Sequence, residues 1–403
     1  MSSTAGLVVV GASLAGLRAV EGARKAGYQG PVTLVGAEAH LPYDRPPLSK
    51  RFLDPDSDPE AVTHRSADEL GELDVQLRFS SQAIGLDAEA EELQLNGETL
   101  SYDALVIATG ATARQLPHDY LPGVHPLRTL EDAQSIRRGL DGARSVLIVG
   151  GGFIGSEVAS AARKRGLPVT IVEAAPLPLA RAVGEEMAGV CAGLHWRHGT
   201  RLRCGITVED FEGDDRVERA VLSDGSSIDA DLVVVGVGAE PTTGWLEGSG
   251  LRIDDGVLCN ETLCAGPGNV FAAGDVARWK NKHFDRMMRL EHWTSSAEQG
   301  ALAGRNAANP AEATTYETVP YFWSDWYEHR LQMVGIPQSD EVRLMWKAGD
   351  DRWLALYRED DRLVGALGLN MQSKIMKLRA MIKRHATWGD ALKFCDEKLR
   401  DLL

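Results

Sequence analysis

The chain has 403 residues, a hydrophobic fraction of 44%, a charged fraction of 25% and a formal net charge of −15. This length exceeds what one hydrophobic core usually supports, so we expect two or three domains. The negative charge argues against nonspecific nucleic-acid binding, because a phosphate backbone would repel the protein.

The N-terminal sequence MSSTAGLVVVG contains no basic region and no cleavage pattern, and the apolar runs are short and interrupted by glycine. We therefore expect no signal peptide, no membrane span and a cytoplasmic location. An odd number of cysteines, without a CxxC pair or zinc-ligand spacing, predicts free thiols and no metal site. The cysteines are Cys191, Cys204, Cys259, Cys264 and Cys395.

The first predicted strand, Leu7–Val10, leads into the glycine turn GASLAG, which begins at Gly11, and then into a helical stretch. This order places backbone N–H groups and the positive end of the helix against a pyrophosphate. Ser13 occupies the middle glycine position of the usual fingerprint. After the next strand, Val32–Val35, comes Glu38, which stands 27 residues after Gly11 and is slightly late for a ribose-binding acid. An ordinary surface acid is the alternative for Glu38.

Residues 41–50, LPYDRPPLSK, contain three prolines, which fix φ and stiffen the segment enough to hold Arg45 and Lys50 in place. Composition alone describes a rigid surface loop. The run LVIATG at residues 105–110 is typical of a strand buried on both faces of a parallel sheet and ended by glycine. We expect this strand to complete the first nucleotide-binding unit.

A second copy of this pattern begins 139 residues later. Val146–Val149 leads into GGGFIG, in which Gly150, Gly152 and Gly155 satisfy the full dinucleotide-binding fingerprint. Glu173 ends the following strand, 23 residues after Gly150, where a ribose-binding acid is expected. The acid's charge would repel a 2′-phosphate, so the pattern favours NADH over NADPH. A tight strand–helix packing turn without a ligand is the alternative.

Two further apolar runs come later in the chain. The run LVVVGVG at residues 232–238 predicts a strand that closes the second copy, and VFAAGD at residues 270–275 predicts another strand that ends on Gly-Asp. The composition then changes, because seven of the nine Trp lie beyond residue 270. From Tyr321 onward, short aromatic and β-branched segments alternate with turn residues before a helical tail. We expect a third, smaller α+β domain there.

Seven motifs in this order resemble the oxygenase-coupled NADH-dependent ferredoxin reductases over essentially the whole chain. They are GASLAG, PYDRPPLSK, LVIATG, LRTLEDA, VLIVGGGFIGSEVA, VFAAGDVAR and EHWTSSAEQG. The resemblance implies an α/β, glutathione-reductase-like fold with two Rossmann-type dinucleotide-binding domains and a smaller C-terminal α+β domain. It implies an FAD-binding domain at residues 1–111 and 239–318, an NAD-binding domain at residues 112–238 and a C-terminal domain at residues 319–403.

The same resemblance implies an enzyme that passes electrons from NADH through FAD to a two-iron two-sulfur ferredoxin serving a haem monooxygenase or a Rieske dioxygenase. The FAD-binding residues that it implies are Gly11, Ser13, Leu14, Ala15, Gly16, Glu38, Arg45, Lys50, Ala83, Ala108, Thr109, Gly110, Arg128, Gly274, Asp275, Glu291, His292 and Trp293. The NAD-binding residues that it implies are Gly150, Gly152, Phe153, Ile154, Glu157, Glu173, Gly236 and Gly238.

For the chemical step, we hypothesise that Lys50, paired with Glu157, lies beside the flavin N5 and stabilises the negative charge of reduced flavin. The resemblance implies that Trp323, in YFWSDWY, and Trp293 pack near the isoalloxazine. Filling of a core or an interface is the alternative role of such tryptophans. Disulfide reductases and peroxidases of this fold need a redox cysteine after the first dinucleotide unit. Residues 40–42 are His-Leu-Pro, which argues against those activities.

A reductase that is acidic overall needs a local positive surface to bind an acidic ferredoxin. Residues 370–389 contain five Lys and Arg and no acid, and their apolar positions predict an amphipathic helix. Those positions are Met371, Ile375, Leu378 and Ile382. The candidate docking residues are Lys374, Lys377, Arg384, Arg65 and Arg289. A solvated charged face is the alternative interpretation of the tail.

Several other activities share the two-nucleotide plan. NADH oxidase, rubredoxin reductase and monodehydroascorbate reductase differ mainly in the electron acceptor. A further alternative is a nucleotide-sensing flavoprotein similar to the apoptosis-inducing factors, in which reduced flavin and NAD form a long-lived complex. The short third domain argues mildly against that sensor. We expect a monomer or a weak homodimer.

Overall fold

The apolar runs of the sequence form strands that are buried along their whole length, as in Leu7–Val10 and Leu232–Val235. The structure is a computed structural model that describes residues 5–58, 62–116, 121–267, 269–347, 349 and 351–399. The last four residues of the third predicted domain lie outside this part of the chain. Within the described residues, every helix is too short or too polar to span a bilayer.

The strands follow one another along the chain with these bounds: β1 (Leu7–Val10), β2 (Val32–Val35), β3 (Val75–Arg78), β4 (Ala83–Asp87), β5 (Glu92–Leu95), β6 (Thr99–Ser101), β7 (Ala104–Ile107), β8 (Ala111–Ala113), β9 (Val124–Pro126), β10 (Val146–Val149), β11 (Val169–Glu173), β12 (Arg201–Cys204), β13 (Val208–Glu212), β14 (Arg219–Leu222), β15 (Ser227–Asp229), β16 (Leu232–Val235), β17 (Ala239–Pro241), β18 (Val257–Cys259), β19 (Cys264–Gly266), β20 (Val270–Ala272), β21 (Ala277–Asn281), β22 (Arg286–Arg289), β23 (Tyr321–Trp326), β24 (His329–Gly335), β25 (Glu341–Lys347), β26 (Trp353–Glu359) and β27 (Arg362–Leu369).

The α-helices are α1 (Leu14–Lys25), α2 (Ala67–Gly71), α3 (Leu130–Gly142), α4 (Phe153–Lys164), α5 (Ala180–Val183), α6 (Glu185–Arg197), α7 (Trp293–Ala308), α8 (Gln372–Lys383) and α9 (Trp388–Leu399). Short 3₁₀ turns occur at Pro46–Ser49, Arg51–Leu53, Gly244–Leu246, Gly274–Val276 and Pro310–Glu312.

Contacts divide the described residues between two units. The first unit lies within Met1–Asp44, Val62–Thr112 and Glu240–Thr318. The second unit lies within Arg45–Ala61, Ala113–Ala239 and Val319–Leu403. The described residues 45–58 therefore belong by their contacts to the second unit, although the resemblance placed them in the FAD-binding domain. The division into three domains stays a prediction.

The proline-rich segment after residue 45 is tied to α3 and α4 of the second unit. The Arg137 guanidinium donates hydrogen bonds to the carbonyl oxygens of Phe52 and Asp54, at 2.6 and 2.9 Å. Lys164, the last residue of α4, forms an ion pair with the Asp54 carboxylate at 2.8 Å. These contacts fix a segment that has little secondary structure of its own.

The first unit is built on a six-stranded sheet in the order β19-β20-β7-β1-β2-β3, parallel except for the β19–β20 pair. In the central strands, Val10 lies opposite both Val35 and Ile107. The carboxyl ends of β1, β2 and β7 therefore meet at one edge. Smaller sheets, β4-β5-β6 and β18-β21-β22, complete this unit.

The second unit contains a five-stranded parallel sheet in the order β12-β11-β10-β16-β9, in which Val149 lies opposite Val172 and Val235. Its C-terminal part is an antiparallel sheet in the order β23-β24-β27-β26-β25. The predicted amphipathic tail forms α8, which contacts β24 and β27. The buried side chains of α8 are Ile375, Leu378 and Ile382.

Candidate functional site

The glycine turn of the first unit requires glycine for steric reasons. Gly11 has φ +115°, and a Cβ added there would lie 2.1 Å from the carbonyl oxygen of Ala108. A Cβ on Gly16 would lie 1.8 Å from the carbonyl oxygen of Gly11. The turn is therefore tight enough to bring the first residues of α1, Leu14 and Ala15, to the carboxyl edge of the sheet. The N–H groups of a helix's first turn have no partner within the helix and form an anion-binding site.

The predicted FAD residues after β7 and β20 lie at the same edge. Ala108 donates its N–H to Val10 at 2.7 Å, and Thr109 and Gly110 come directly after it. Gly274, with φ +83°, lies so close to α1 that an added Cβ would be 3.0 Å from the Ala15 methyl group. The fold thus brings the glycine turn, the end of β7 and the Gly-Asp pair together within one unit.

Two side chains orient this Gly-Asp pair, and sequence reasoning did not identify them. The Gly274 N–H donates to Gln299 Oε1 at 2.9 Å, and the Ser296 hydroxyl donates to Asp275 Oδ1 at 3.1 Å. Both partners come from α7, about one turn apart. Their only sequence signal is the motif EHWTSSAEQG, which contains them.

Glu38, the predicted ribose-binding acid, is half-buried three residues beyond β2. The Tyr43 hydroxyl donates to Glu38 Oε2 at 2.6 Å. This hydrogen bond orients the carboxylate at the sheet edge, which suits a ribose-binding role better than a solvated surface role. Ala83, also predicted to contact FAD, is half-buried at the start of β4.

The predicted FAD residues around the start of α7 form a second cluster in the first unit. Trp293 Nε1 donates to Asp44 Oδ1 at 2.7 Å, so the indole is anchored to the end of the PYD segment. Desolvation lowers the pKa of His292 to about 4, although the nearby Asp275 carboxylate opposes that shift. His292 is therefore neutral at neutral pH. Glu291 is exposed and pairs with Arg289 at 2.7 Å.

The glycine turn of the second unit has the same backbone but more open space. Gly150 has φ +103°, and an added Cβ would lie 2.3 Å from the carbonyl oxygen of Gly236. A Cβ on Gly155 would lie 2.2 Å from the carbonyl oxygen of Gly150. By contrast, the nearest atom to a Cβ on Gly152 would be 3.9 Å away. The protein therefore leaves room at Gly152 for a ligand to approach the backbone, as a dinucleotide requires.

Glu173 lies at the end of β11, where a ribose-binding acid belongs. Its Oε2 accepts a hydrogen bond from the Gly151 N–H at 2.7 Å, and its Oε1 accepts one from the Ala175 N–H at 2.8 Å. The carboxylate thus stabilises the glycine turn as well as presenting negative charge. Burial raises the pKa of the Cys204 thiol on β12, and the charge of Glu173 adds to this rise.

The other predicted NAD residues surround this turn. Phe153 and Ile154 begin α4, and the Ile154 side chain is 40% exposed although it is apolar. Gly236 and Gly238 come after β16 at the same edge of the sheet, and Gly238 has φ +109°. All of these residues belong to the second unit.

Glu157, on the second turn of α4, is a buried acid of the second unit. It is only 4% exposed. The Lys50 ammonium forms an ion pair with Glu157 Oε2 at 2.9 Å, and the hydroxyls of Ser49 and Ser324 donate to the same carboxylate. The predicted Lys50–Glu157 pair is therefore present within one unit. Sequence reasoning missed both serines, because Ser49 and Ser324 lie 108 and 167 positions from Glu157.

The remaining predicted residues of the second unit lie on neighbouring elements. The Arg45 guanidinium donates to the carbonyl oxygen of Arg128 at 2.6 Å. Trp323 is half-buried on β23 and stacks on Tyr321 with ring centroids 5.8 Å apart. Between them on the strand, Phe322 contacts Phe153 with ring centroids 4.7 Å apart. Strand β23 therefore contacts the start of α4 in addition to carrying Trp323.

The predicted docking residues differ in how their charges are paired. Arg65 forms an ion pair with Glu21 at 2.6 Å, and Arg289 pairs with Asp255 as well as with Glu291. In the second unit, Lys377 and Arg384 are exposed and Lys374 is half-buried. The five cysteines are free thiols in the structure.

Known proteins match this chain over nearly its whole length. Residues 5–300 match the pyridine nucleotide-disulphide oxidoreductase family, and residues 321–403 match a reductase C-terminal family. Rhodocoxin reductase of Rhodococcus erythropolis is 34% identical over 381 residues, which cover 93% of this chain and 89% of that protein. The ferredoxin–NAD(+) reductase component of the p-cumate 2,3-dioxygenase system of Pseudomonas putida is 36% identical over 397 residues, covering 94% of each chain. The crystal structure of the covalent putidaredoxin reductase–putidaredoxin complex aligns with a TM-score of 0.89 and 30% identity, covering 95% of this chain and 94% of that chain.

Proposed function

Because the chain belongs to the pyridine nucleotide-disulphide oxidoreductase family, we propose that it is a reductase that passes electrons from NADH through FAD to a two-iron two-sulfur ferredoxin. Its relatives confirm the predicted resemblance to oxygenase-coupled ferredoxin reductases and the predicted fold class. The observation that carries the proposal is the ion pair between Lys50 and the buried Glu157, which lies on the helix that starts at the open Gly152 turn.

FAD fits the carboxyl edge of the first unit's sheet. The tight turn at Gly11 directs the amides of α1 towards a pyrophosphate, and Glu38 offers a carboxylate to a ribose. Asp275, held by Ser296, offers a second carboxylate to the hydroxyls of the ribityl chain. When bound, FAD supplies the chemistry that accepts a hydride and releases its electrons one at a time.

NADH fits the second unit. The open space at Gly152 admits a pyrophosphate next to the backbone, and Glu173 offers a carboxylate to a ribose hydroxyl. The same negative charge repels the 2′-phosphate of NADPH. We infer a preference for NADH on this ground.

Lys50 and Glu157 supply charge rather than bond chemistry. With FAD bound, the Lys50 ammonium would supply a positive charge that stabilises the negative charge of reduced flavin, and Glu157 holds that ammonium through an ion pair. The family resemblance implies that Trp323 would pack near the flavin ring when FAD is bound. This role is distinct from that of a redox cysteine, and the five cysteines are free thiols outside the segment that would supply one.

The proposed acceptor is tested with the purified holoprotein. NADH is added anaerobically while the flavin spectrum is monitored, and cytochrome c reduction is then measured with and without a two-iron two-sulfur ferredoxin. We expect rapid bleaching of the flavin and cytochrome c reduction that depends on the ferredoxin. Oxygen consumption with fast flavin reoxidation would instead identify an oxidase, and a persistent charge-transfer band without turnover would identify a sensor. Turnover with rubredoxin but not with ferredoxin would also overturn the proposal.

We further propose that ferredoxin docks on the exposed basic side of α8. The support is that Lys377 and Arg384 are exposed there, and that residues 370–389 contain no acid. In the same assay, changing Lys374, Lys377 and Arg384 to Glu should raise the KM for ferredoxin and leave the KM for NADH unchanged. Arg201→Glu, at an exposed position on β12, is the matched control. An unchanged KM for ferredoxin removes this helix from the docking site.

A further inference from the structure

The two oxygens of the Glu157 carboxylate have different partners. Oε2 accepts from the Ser49 hydroxyl and faces the Lys50 ammonium at 2.9 Å. Oε1 accepts from the hydroxyl of Ser324 on β23. Because Glu157 is only 4% exposed, solvent cannot easily replace any of these donors. The rotation of the carboxylate is therefore set by protein groups on both sides.

The direction of the Ser324 hydrogen bond is fixed by a neighbour. The indole Nε1–H of Trp326 donates to Ser324 Oγ at 2.8 Å, so the single hydroxyl proton of Ser324 is directed to Glu157. Trp326 is fully buried and stacks on the ring of His195, with centroids 5.0 Å apart. Ser324 therefore cannot redirect its hydroxyl proton unless Trp326 moves, and that movement would disturb the packed Trp326–His195 pair.

We propose that Ser324 is a positioning residue that acts through Glu157 to hold the Lys50 ammonium in its working position. Without its hydroxyl, the buried Oε1 has no donor, and the carboxylate relaxes by rotating about its terminal torsion. That rotation carries Oε2 away from Lys50. The inference rests on the proposed function of Lys50, and it extends that function to a strand of the C-terminal sheet.

The test uses stopped-flow reduction of the holoenzyme flavin by NADH, together with the flavin midpoint potential. Ser324→Ala should slow flavin reduction about tenfold, the scale expected for a lost hydrogen bond to a charged group. It should also shift the midpoint potential to a more negative value, because reduced flavin loses stabilising positive charge. Ser324→Thr keeps the hydroxyl and should restore most of the rate.

Ser160→Ala is the matched control. The Ser160 hydroxyl joins α4 to the β23–β24 turn, since it donates to the Ser156 carbonyl oxygen and accepts from the Tyr327 N–H. Its loss disturbs the same contact between helix and hairpin without removing the donor to Glu157. The midpoint potential of this variant should equal that of the wild type. An equal shift in both variants would show that Ser324 has only a structural role and would overturn the inference.

A double-mutant cycle separates the route of action. In a Glu157→Gln background, Ser324→Ala should cause little further loss, because the carboxylate through which Ser324 acts is already absent. Additive losses would contradict the inference. Lys50→Met is measured in parallel. If Lys50→Met slows flavin reduction and Ser324→Ala does not, the inference fails while the proposed function stands. If neither substitution slows flavin reduction, the proposed function of Lys50 fails, and the inference fails with it.

Discussion

The two glycine turns of this protein share a backbone, but the helices that begin at them differ. Gly11 and Gly150 have similar positive φ values, +115° and +103°, and each lies against a carbonyl oxygen beyond a neighbouring strand. The middle position is Ser13 in the first turn and Gly152 in the second. One local motif can therefore be kept while the helix after it serves a different purpose.

In the first unit, α1 is used for close packing. A Cβ on Gly300 or Gly304 of α7 would lie 2.2 or 1.9 Å from a carbonyl oxygen of α1. The two helices therefore approach each other backbone to backbone. In the second unit, α4 instead carries a buried charge, Glu157, which binds groups from a 3₁₀ turn and from β23.

We expect the largest effect from Gly304→Val, which breaks the packing of the first unit and leaves the second unit intact. Gly304→Val should lower the free energy of unfolding by about 4 kcal/mol, because its side chain overlaps the backbone of α1. Gly152→Ala should lower it by about 1 kcal/mol or less, because the position is open and its φ of −76° suits any residue. Urea unfolding measures both.

Gly152→Ala should nevertheless raise the Kd for NADH at least about tenfold, because its methyl group occupies the space that the pyrophosphate needs. Calorimetric titration of the folded variant checks this. Normal NADH binding by Gly152→Ala would show that the open space at Gly152 is not a ligand site.

Acidification should destabilise the protein through buried histidines. Desolvation, reinforced by the His198 charge, lowers the pKa of His195 in the second unit to about 4. Between pH 6.5 and 4, the unfolded chain binds a proton that the folded chain excludes. The contribution of His195 to the free energy of unfolding is therefore fully present above pH 6.5 and falls as the pH approaches 4. The full loss from this group is about 3 kcal/mol.

The variant His195→Gln checks this pH dependence. The Ser156 hydroxyl donates to the Gly152 carbonyl oxygen, so His195 Nε2 donates to Ser156 and its Nδ1 accepts from the Tyr327 hydroxyl. Glutamine can keep the donor but does not titrate. Its unfolding free energy should change less between pH 7 and pH 4 than that of the wild type, whereas exposed His385→Gln should behave like the wild type. Equal pH slopes in all three proteins would refute the assignment.

The two predicted ribose-binding acids, Glu38 beyond β2 and Glu173 at the end of β11, should differ in their effect on nucleotide choice. Glu173→Gln should lower the ratio of kcat/KM for NADH to that for NADPH by about tenfold, because the charge that repels the 2′-phosphate is lost. Glu38→Gln should weaken FAD retention and leave this ratio unchanged. Steady-state kinetics with both nucleotides, together with the FAD content after dialysis, distinguish the two roles. A changed nucleotide ratio in Glu38→Gln would argue that the units are not specialised in this way.

The elements at the two turns were predictable because their causes are local. Strands β1 and β10 are short β-branched runs, and the glycines after them are required by the positive φ and close backbone contacts of the turn. The family, the fold class and the two cofactors were inferred from such motifs and are confirmed by the relatives. The individual roles of the predicted site residues stay predictions.

The sequence by itself determined the glycine turns, the acids Glu38 and Glu173 near the ends of β2 and β11, and the stiff segment that carries Lys50. Each of these features depends on neighbours within a few positions. Only the tertiary structure decided that Ser49 and Ser324 share the carboxylate of Glu157, and that Glu173 binds the backbone of its own glycine turn. Hydrogen bonds between residues distant in sequence depend on how helices and strands pack. A serine in isolation shows no preference for one of the many carboxylates that folding could bring to it.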